Sequence, residues 1–446
     1  MGNRKYFGTD GIRGRVGEHP ITPEFALMLG RALGASLGAR ASVVIGKDTR
    51  SSGYLLESAL EAGLSASGVD SILVGPMPTP AIALLTRQLG AAAGIVISAS
   101  HNPFEDNGIK LFSALGEKLD DALELEIEAR LDALPPMVGA ADLGRAKRHE
   151  KALEDYLAFL QSHAGEGLAA MRGQEILIDA AHGAGYRAAP HLFERLGFKV
   201  RAIGVQPNGL NINAGVGATD LSALKVEHAR APALAFALDG DGDRLQAMTV
   251  KGRLVDGDDL IYVLARHWQA TGGLRGPVVG TVMTNLGIER AFEVAAIPFA
   301  RAAVGDRYVH QMLKEQGGVL GGEASGHVLC LNHAPTGDGL LTAVLVLNAI
   351  AESGRDLDAW LEGLARYPQR TINVRLATRS PDLLRHPTVV DARRAAEAAL
   401  GSRGRLILRA SGTEPLIRVT VEAHSDALIA VALEPLADAV RAAANA

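Results

Sequence analysis

Two short polar segments of the chain hold residues able to do chemistry. The first, Asp239-Gly240-Asp241-Gly242-Asp243-Arg244, sets three carboxylates at alternate positions with glycine between them. Like charges this close repel and cost stability unless a cation neutralises them. Hard carboxylate oxygens at that density suit Mg²⁺ or Mn²⁺. An EF-hand calcium loop needs Gly at its sixth position and Glu at its twelfth. Counted from Asp239 those are Arg244 and Val250, so that reading fails. A solvated acidic turn is the alternative, but the apolar run Leu234-Ala235-Phe236-Ala237-Leu238 before it reads as a strand and favours a metal loop.

The second segment is Ser98-Ala99-Ser100-His101-Asn102-Pro103, which follows the β-branched run Ile95-Val96-Ile97. Two hydroxyls and an imidazole at the end of a buried strand suit a nucleophile or a phosphate acceptor. Taken alone, a polar turn closed by local hydrogen bonds is the simpler reading.

Three further segments offer groups for a phosphate or a sugar. Gly8-Thr9-Asp10-Gly11-Ile12-Arg13-Gly14 places an Asp and an Arg among glycines. Arg binds phosphate in bidentate fashion, and a structural Asp–Arg turn is an equal alternative. Gly322-Glu323-Ala324-Ser325-Gly326-His327 gathers a carboxylate, a hydroxyl and an imidazole, groups that hydrogen-bond sugar hydroxyls; a plain Gly-rich turn would look the same. Arg409-Ala410-Ser411-Gly412-Thr413-Glu414-Pro415, with Arg418 beyond it, offers hydroxyls, backbone N–H groups and guanidinium for a phosphate. Ser411 and Glu414 also fit a capping box, and a plain hairpin fits too.

The elements around these segments alternate between strand and helix. Thr22-Pro23-Glu24 reads as an N-cap, a first-position Pro and an acidic first turn, opening a helix to about 38. Strands are expected at 43–46 and 72–75, with a polar turn at 47–53 opening the helix between them. This grammar predicts an α/β fold with mixed, largely parallel sheets, whose ligands sit beyond the strand ends. From 117 to about 170 the sequence reads as helical and charged, interrupted at Pro135-Pro136. A second α/β unit begins at 175 and a third near 257; the three units share the strand–turn–helix grammar without close side-chain identity. The part from about 368 differs: strands at 371–375, 405–409 and 416–421 and a helix at 389–400 predict an α+β domain.

The whole chain sets the bounds. Its 446 residues suggest about three domains or more. A net charge of -5 argues against a broad nucleic-acid face, so an anionic ligand must be drawn by local cations and N–H groups. Cys330 is the only cysteine, which excludes an internal disulfide and a cysteine-based zinc site. The first residues carry no apolar signal-peptide core, and no apolar run reaches the roughly 20 residues of a membrane helix. A cytoplasmic protein with no membrane partner is the expectation.

Taken in chain order, Gly-Thr-Asp-Gly-Ile-Arg, Ser-Ala-Ser-His-Asn-Pro, Asp-Gly-Asp-Gly-Asp-Arg, Gly-Glu-Ala-Ser-Gly-His and Arg-Ala-Ser-Gly-Thr-Glu-Pro resemble the motifs of the α-D-phosphohexomutase superfamily. The likeness covers essentially the whole chain. Phe7 to Gly14 is most similar to the bacterial branch acting on glucosamine phosphate; Ala324 departs from it, since that branch more often carries Gln there.

The resemblance implies three α/β domains and a C-terminal α+β domain around a central cleft, at 1–150, 151–253, 254–366 and 367–446. It implies that Ser100 is the phosphorylated nucleophile, and that Asp239, Asp241 and Asp243, with a phosphate oxygen on Ser100, hold one Mg²⁺. Arg13, His101 and Lys110 would contact the phosphoserine, Lys110 as a proton carrier. Arg244, Glu323, Ser325 and His327 would bind the sugar; Arg409, Ser411, Gly412, Thr413 and Arg418 would hold the phosphate that is not reacting. The implied reaction interconverts glucosamine 6-phosphate and glucosamine 1-phosphate through a 1,6-bisphosphate, feeding UDP-N-acetylglucosamine and cell-wall precursor synthesis. Glucose or glucosamine 1,6-bisphosphate would be the primer, and the enzyme a monomer or homodimer. Open alternatives are a sister specificity for mannose or glucose phosphates, a metal-dependent sugar phosphatase, and a non-catalytic sugar-phosphate sensor.

Overall fold

The computed structural model describes residues 4–378, 380–410 and 415–444. The chain forms two compact units: Met1–Thr281 with Ala302–Glu362, and Val282–Arg301 with Gly363–Ala446.

In the first unit, the first sheet has six strands in the order Ile12–Arg15, Asp106–Ser113, Ala93–Ile97, Ser42–Lys47, Asp70–Pro76, Ala146–Arg148. Its centre is parallel: Ser42–Lys47 pairs with Asp70–Pro76 on one side and Ala93–Ile97 on the other. Parallel strands covered on both faces need continuous apolar runs, and Val43, Val44, Ile45, Ile95, Val96 and Ile97 are all buried.

The helix Pro23–Leu37 starts as its sequence requires. Thr22 Oγ1 accepts from the Phe25 N–H at 3.3 Å, Pro23 opens the first turn, and Gly38 at φ 85° closes the last. It packs on helix Ser52–Ala66 through two glycines. A Cβ on Gly63 would lie 2.2 Å from Leu27 O, and one on Gly30 would lie 2.5 Å from Leu60 O. No larger residue allows the two backbones this close.

One strand lies where the sequence raises no expectation, and one stretch departs from the expectation made for it. Asp106–Ser113 forms a long strand, antiparallel to both Ile12–Arg15 and Ala93–Ile97. The stretch expected to be helical from 117 to 170 holds helices Asp121–Asp132 and Ala152–Ser162 separated by a short strand, Ala146–Arg148. That strand pairs in parallel with Asp70–Pro76. Its exposed Ala-Lys-Arg sequence carries no strand signal; an open sheet edge supplied the pairing.

The second sheet runs Leu254–Val255, Leu245–Met248, Leu234–Leu238, Glu175–Asp179, Lys199–Ile203, parallel among the last three strands and antiparallel at the other end. In the third, Val278–Thr281 lies parallel to Leu320–Gly322, which pairs antiparallel with Val328–Cys330. The fold is therefore α/β with mixed sheets, as the alternating grammar predicts. Among the described residues no helix is long and apolar enough to cross a membrane.

The second unit centres on a three-stranded antiparallel sheet, with Leu416–Ala423 between Gln369–Arg375 and Gly404–Ala410. Helices Pro387–Leu400 and Asp426–Ala444 pack on it over a core that includes Val389, Leu400, Ile417, Val419, Val421, Leu436 and Val440.

Candidate active site

Strand Ala93–Ile97 ends in the turn that carries Ser98 and Ser100. Ser100 is buried with φ 50°, a left-handed conformation that costs a β-substituted residue energy and persists only when its surroundings impose it. The restraints are visible. The Ser100 N–H donates to Ser98 Oγ at 3.0 Å, and Ser98 Oγ donates to Asp48 Oδ2 at 2.5 Å. Arg50, fully buried and paired with Asp48, donates to the carbonyls of Ser100 (3.2 Å) and Asn102 (2.5 Å). Asn213 Nδ2 reaches the same two carbonyls at 2.9 and 3.0 Å. Ser98 thus holds the turn, and Ser100 is the hydroxyl that the turn presents.

Strand Leu234–Leu238 delivers the acidic loop to this point. Ser100 Oγ donates to Asp239 Oδ2 at 2.5 Å. The alternating glycines now have a physical reason: a Cβ on Gly240 would lie 2.5 Å from Ser100 O and 2.8 Å from Asn213 Nδ2, and Gly242 has φ 72°. Asp239, Asp241 and Asp243 are buried, each with a carboxylate oxygen within 4.8 Å of the others'. Burial, and then the charges of Asp243 and Asp241, push the Asp239 carboxyl well above the usual range. At Asp243 burial also favours the neutral form, but Lys110, His327 and Arg244 outweigh it and hold the group well below its usual range. Asp241 Oδ1 and Asp243 Oδ1 are buried without a hydrogen-bond partner. Hard, converging and unsatisfied oxygens of this kind fit a divalent cation.

Cationic groups surround the triad. Lys110 Nζ, on strand Asp106–Ser113, lies 2.8 Å from Asp241 Oδ2, 3.1 Å from Asp10 and 3.5 Å from Asp243. Burial opposes its charge, but Asp10, Asp241 and Asp243 raise its pKa far above the ordinary lysine value. Arg13 pairs with Asp10 and donates to Ala99 O at 3.3 Å, so the Asp–Arg turn is real and also borders the serine turn. His101 Nδ1 is 3.4 Å from Ser100 Oγ; burial, then Arg244 and Arg13, lower its pKa to about 4, so its imidazole is neutral at pH 7.

Beside these groups opens a cleft of about 580 Å³ lined by Arg13, His101, Asp243, Arg244, Glu323, Ser325 and His327, among others. The turn from Glu323 to His327 is held by Glu323 N–H donating to His327 O and Gly326 N–H to Glu323 O, both at 3.0 Å. Leu245 N–H, just after the acidic loop, donates to Gly326 O at 2.9 Å, which ties the two loops together. Glu323 accepts from Gly305 N–H at 3.0 Å, and Ser325 is exposed. His327 is buried, 3.6 Å from Asp243 and 3.3 Å from Asp306. Burial disfavours its charge, yet the two acids outweigh it and raise the pKa to about 9.

The first unit thus brings together Arg13, Ser100, His101, Lys110, Asp239, Asp241, Asp243, Arg244, Glu323, Ser325 and His327, from three sheets. Arg409 and Arg418 lie in the second unit, opposite one another in register. Burial, then the Arg418 charge, lowers the Arg409 pKa, a cost that an anion between them would remove. Ser411, Gly412 and Thr413 fall outside the described residues. Sequence reasoning missed Asp48, Arg50 and Asn213, which hold the serine turn. It also missed Thr79, whose Oγ1 donates to Asp241 Oδ2 at 2.7 Å. Lys47-Asp48-Thr49-Arg50 was legible only as a polar turn, and nothing at Thr79 or Asn213 signals a site.

Comparison with known proteins agrees with this geometry. Residues 4–135, 256–367 and 372–439 match family descriptions of phosphoglucomutase/phosphomannomutase: alpha/beta/alpha domain I, alpha/beta/alpha domain III and the C-terminal domain. A phosphoglucosamine mutase of Xylella fastidiosa (strain M12) is 54% identical over 445 residues, 99% of this chain and 100% of the relative. Among solved structures, a phosphoglucomutase/phosphomannomutase family protein from Burkholderia thailandensis superposes with a TM-score of 0.82 at 25% identity, over 99% of this chain and 98% of that one. The Aspergillus fumigatus N-acetylphosphoglucosamine mutase, solved with GlcNAc-6P and magnesium, shares the fold with a TM-score of 0.68 at 19% identity, over 99% and 96% of the two chains.

Proposed function

The chain belongs to the phosphoglucomutase/phosphomannomutase family of α-D-phosphohexomutases and is a phosphosugar mutase; from that membership we propose that it interconverts glucosamine 6-phosphate and glucosamine 1-phosphate through a phosphoserine at Ser100. The observation that carries the proposal is Ser100 Oγ, 2.5 Å from Asp239 at the head of a buried carboxylate triad and beside a cleft large enough for a hexose phosphate.

Asp239, Asp241 and Asp243, with a phosphate oxygen on Ser100, would hold one Mg²⁺. When bound, that ion supplies charge neutralisation for the phosphoryl group in transfer. The remaining steps belong to the chain's own side chains. The phosphoryl group leaves Ser100 Oγ for a sugar hydroxyl: the P–Oγ bond breaks, a new P–O bond forms, and the hydroxyl gives up its proton. The neutral Nδ1 of His101 beside Ser100 is suited to take a proton. Lys110, held charged, stabilises the phosphoryl oxygens and can return a proton to Ser100 Oγ. Arg13 neutralises the same group, and Arg244, Glu323, Ser325 and His327 bind the sugar. The bisphosphate then turns over, and Ser100 recovers the other phosphate. Arg409, Ser411, Gly412, Thr413 and Arg418 grip the phosphate that is not reacting in each half-reaction.

The division at 1–150, 151–253, 254–366 and 367–446 belongs to the same reading, supported by four sheets that follow these ranges except at strand Leu254–Val255, which belongs to the second sheet but falls in the third range. So do a cytoplasmic location, a monomeric or homodimeric state, and priming by glucose or glucosamine 1,6-bisphosphate. A panel of glucosamine, glucose and mannose phosphates tests the substrate. A higher kcat/KM on glucose 1-phosphate than on glucosamine phosphate overturns it, and steady release of inorganic phosphate without isomerisation turns the reading to a phosphatase.

A further inference from the structure

Lys118 stands between two acids, Asp10 and Asp306, that both line the cleft. Its Nζ is 2.6 Å from Asp10 Oδ1 and 2.7 Å from Asp306 Oδ2, and its side chain keeps only 20% of its exposure. Asp10 is in the loop before strand Ile12–Arg15, and Asp306 opens the helix Asp306–Gln316. Each acid then holds a group of the active site. Asp10 Oδ2 pairs with Arg13 and lies 3.1 Å from Lys110 Nζ; Asp306 Oδ2 lies 3.3 Å from His327 Nε2.

The backbone of Lys118 is fixed as well. It bridges Phe112, Ser113 N–H donates to Glu117 O at 2.8 Å, and Leu119 N–H donates to Leu111 O at 3.3 Å. One strand and the turn after it therefore aim two lysines at the two oxygens of Asp10: Lys110 from within the strand and Lys118 from beyond its end. Without the Lys118 charge, Asp10 and Asp306 would face each other as partly desolvated like charges and move apart. Lys110 and His327 would move with them.

We infer that Lys118 is a positioning residue for phosphoryl transfer, a cation that joins Asp10 to Asp306 and so sets Lys110 and His327 relative to Ser100. The inference rests on the mutase reading above. A displacement of about 1 Å in a group that must meet the reacting atoms costs on the order of 10²-fold in rate, so the loss belongs in kcat.

The test measures steady-state mutase kinetics and melting temperature for wild type, Lys118→Met, Lys118→Arg, Asp306→Asn and the Lys118→Met/Asp306→Asn double variant. Wild type comes first: no isomerisation by wild type sinks the mutase reading itself. Given an active wild type, Lys118→Met should lose about 10–100-fold in kcat with KM within about threefold. Lys118→Arg should recover most of the loss, and the double variant should fall no further than the worse single one. Should Lys118→Met fail to fold, Lys118→Gln, of similar length and without charge, gives the same readout. An uncharged variant with wild-type kcat overturns the inference. So does a loss that follows melting temperature and is not rescued by Arg, or a fully additive double variant.

Discussion

Ser100 Oγ and Asp239 Oδ2 lie 2.5 Å apart although 139 residues separate them in the chain. Each stands at the C-terminal end of a buried strand, in different sheets, and Gly240 lets the two loops touch. The nucleophile is thereby built into the edge of the carboxylate triad. Replacing Ser100 by Ala should abolish mutase activity and remove a single phosphate seen by intact-mass analysis on a fraction of the wild type. A fully active Ser100→Ala enzyme ends the phosphoserine scheme.

The contact also gives Gly240 a strict requirement. Gly240→Ala puts a methyl group 2.5 Å from Ser100 O, against a turn that Arg50 and Asn213 hold rigid. We expect kcat to fall by on the order of 10²-fold while far-ultraviolet circular dichroism stays native. An enzyme as fast as wild type would show that the loops can separate at no catalytic cost.

Metal should act on stability as well as on rate. The buried carboxylates repel one another, and Asp239 is pushed toward its neutral form. A divalent ion that binds only the folded state raises the melting temperature as its concentration exceeds the dissociation constant. Mg²⁺ should therefore raise the Tm of chelator-treated enzyme, and Asp241→Asn should shrink that rise. Equal shifts in both proteins would place the ion elsewhere.

Gly63 tests the packing that supports the first sheet. A Cβ there meets Leu27 O at 2.2 Å, backbone that no side-chain rotation relieves. Gly63→Ala should cost roughly 1–3 kcal/mol by urea denaturation, within the range of overpacked sites. Better helix propensity for Ala, worth at most about 1 kcal/mol, acts in the other direction. A more stable variant would mean the helices separate freely.

Asp338 predicts a pH dependence next to the acidic loop, since the N–H of the following residue, Gly339, donates to Gly242 O at 3.1 Å. It caps helix Gly339–Ser353 through the Leu341 N–H and accepts from Tyr156 Oη at 3.0 Å. Burial nonetheless raises its pKa to about 6, from a reference of 3.8. A raised folded-state pKa means that this contribution is fully present below the unfolded value and is lost as pH rises through about 6. The difference corresponds to about 3 kcal/mol. Asp338→Asn, which keeps a capping oxygen, should gain on wild type between pH 4 and pH 7 in urea melts, each pH being about two units or less from the folded midpoint. A constant difference across that range contradicts the assignment.

The sequence by itself determined the alternation of strand and helix, the cap of the first helix, the change of fold type near 368, and the five motifs. Those signals are local: apolar periodicity, capping side chains, and residue types whose chemistry is plain at short spacing. It also determined that three carboxylates at alternate positions call for a cation. It did not separate Ser100 from Ser98, because both hydroxyls lie on one turn and only the fold shows Ser98 tied to Asp48 and Ser100 facing Asp239.

Only the tertiary structure decided the rest. Arg50, Asn213, Thr79 and Lys118 act through contacts with residues distant in sequence, and no local pattern records such a contact. The edge strand Ala146–Arg148 exists because a sheet edge was open to it. The charge states of His101 and His327 diverge for the same reason. One imidazole is half-buried beside two arginines and the other fully buried beside two aspartates, and only folding brings those neighbours into place.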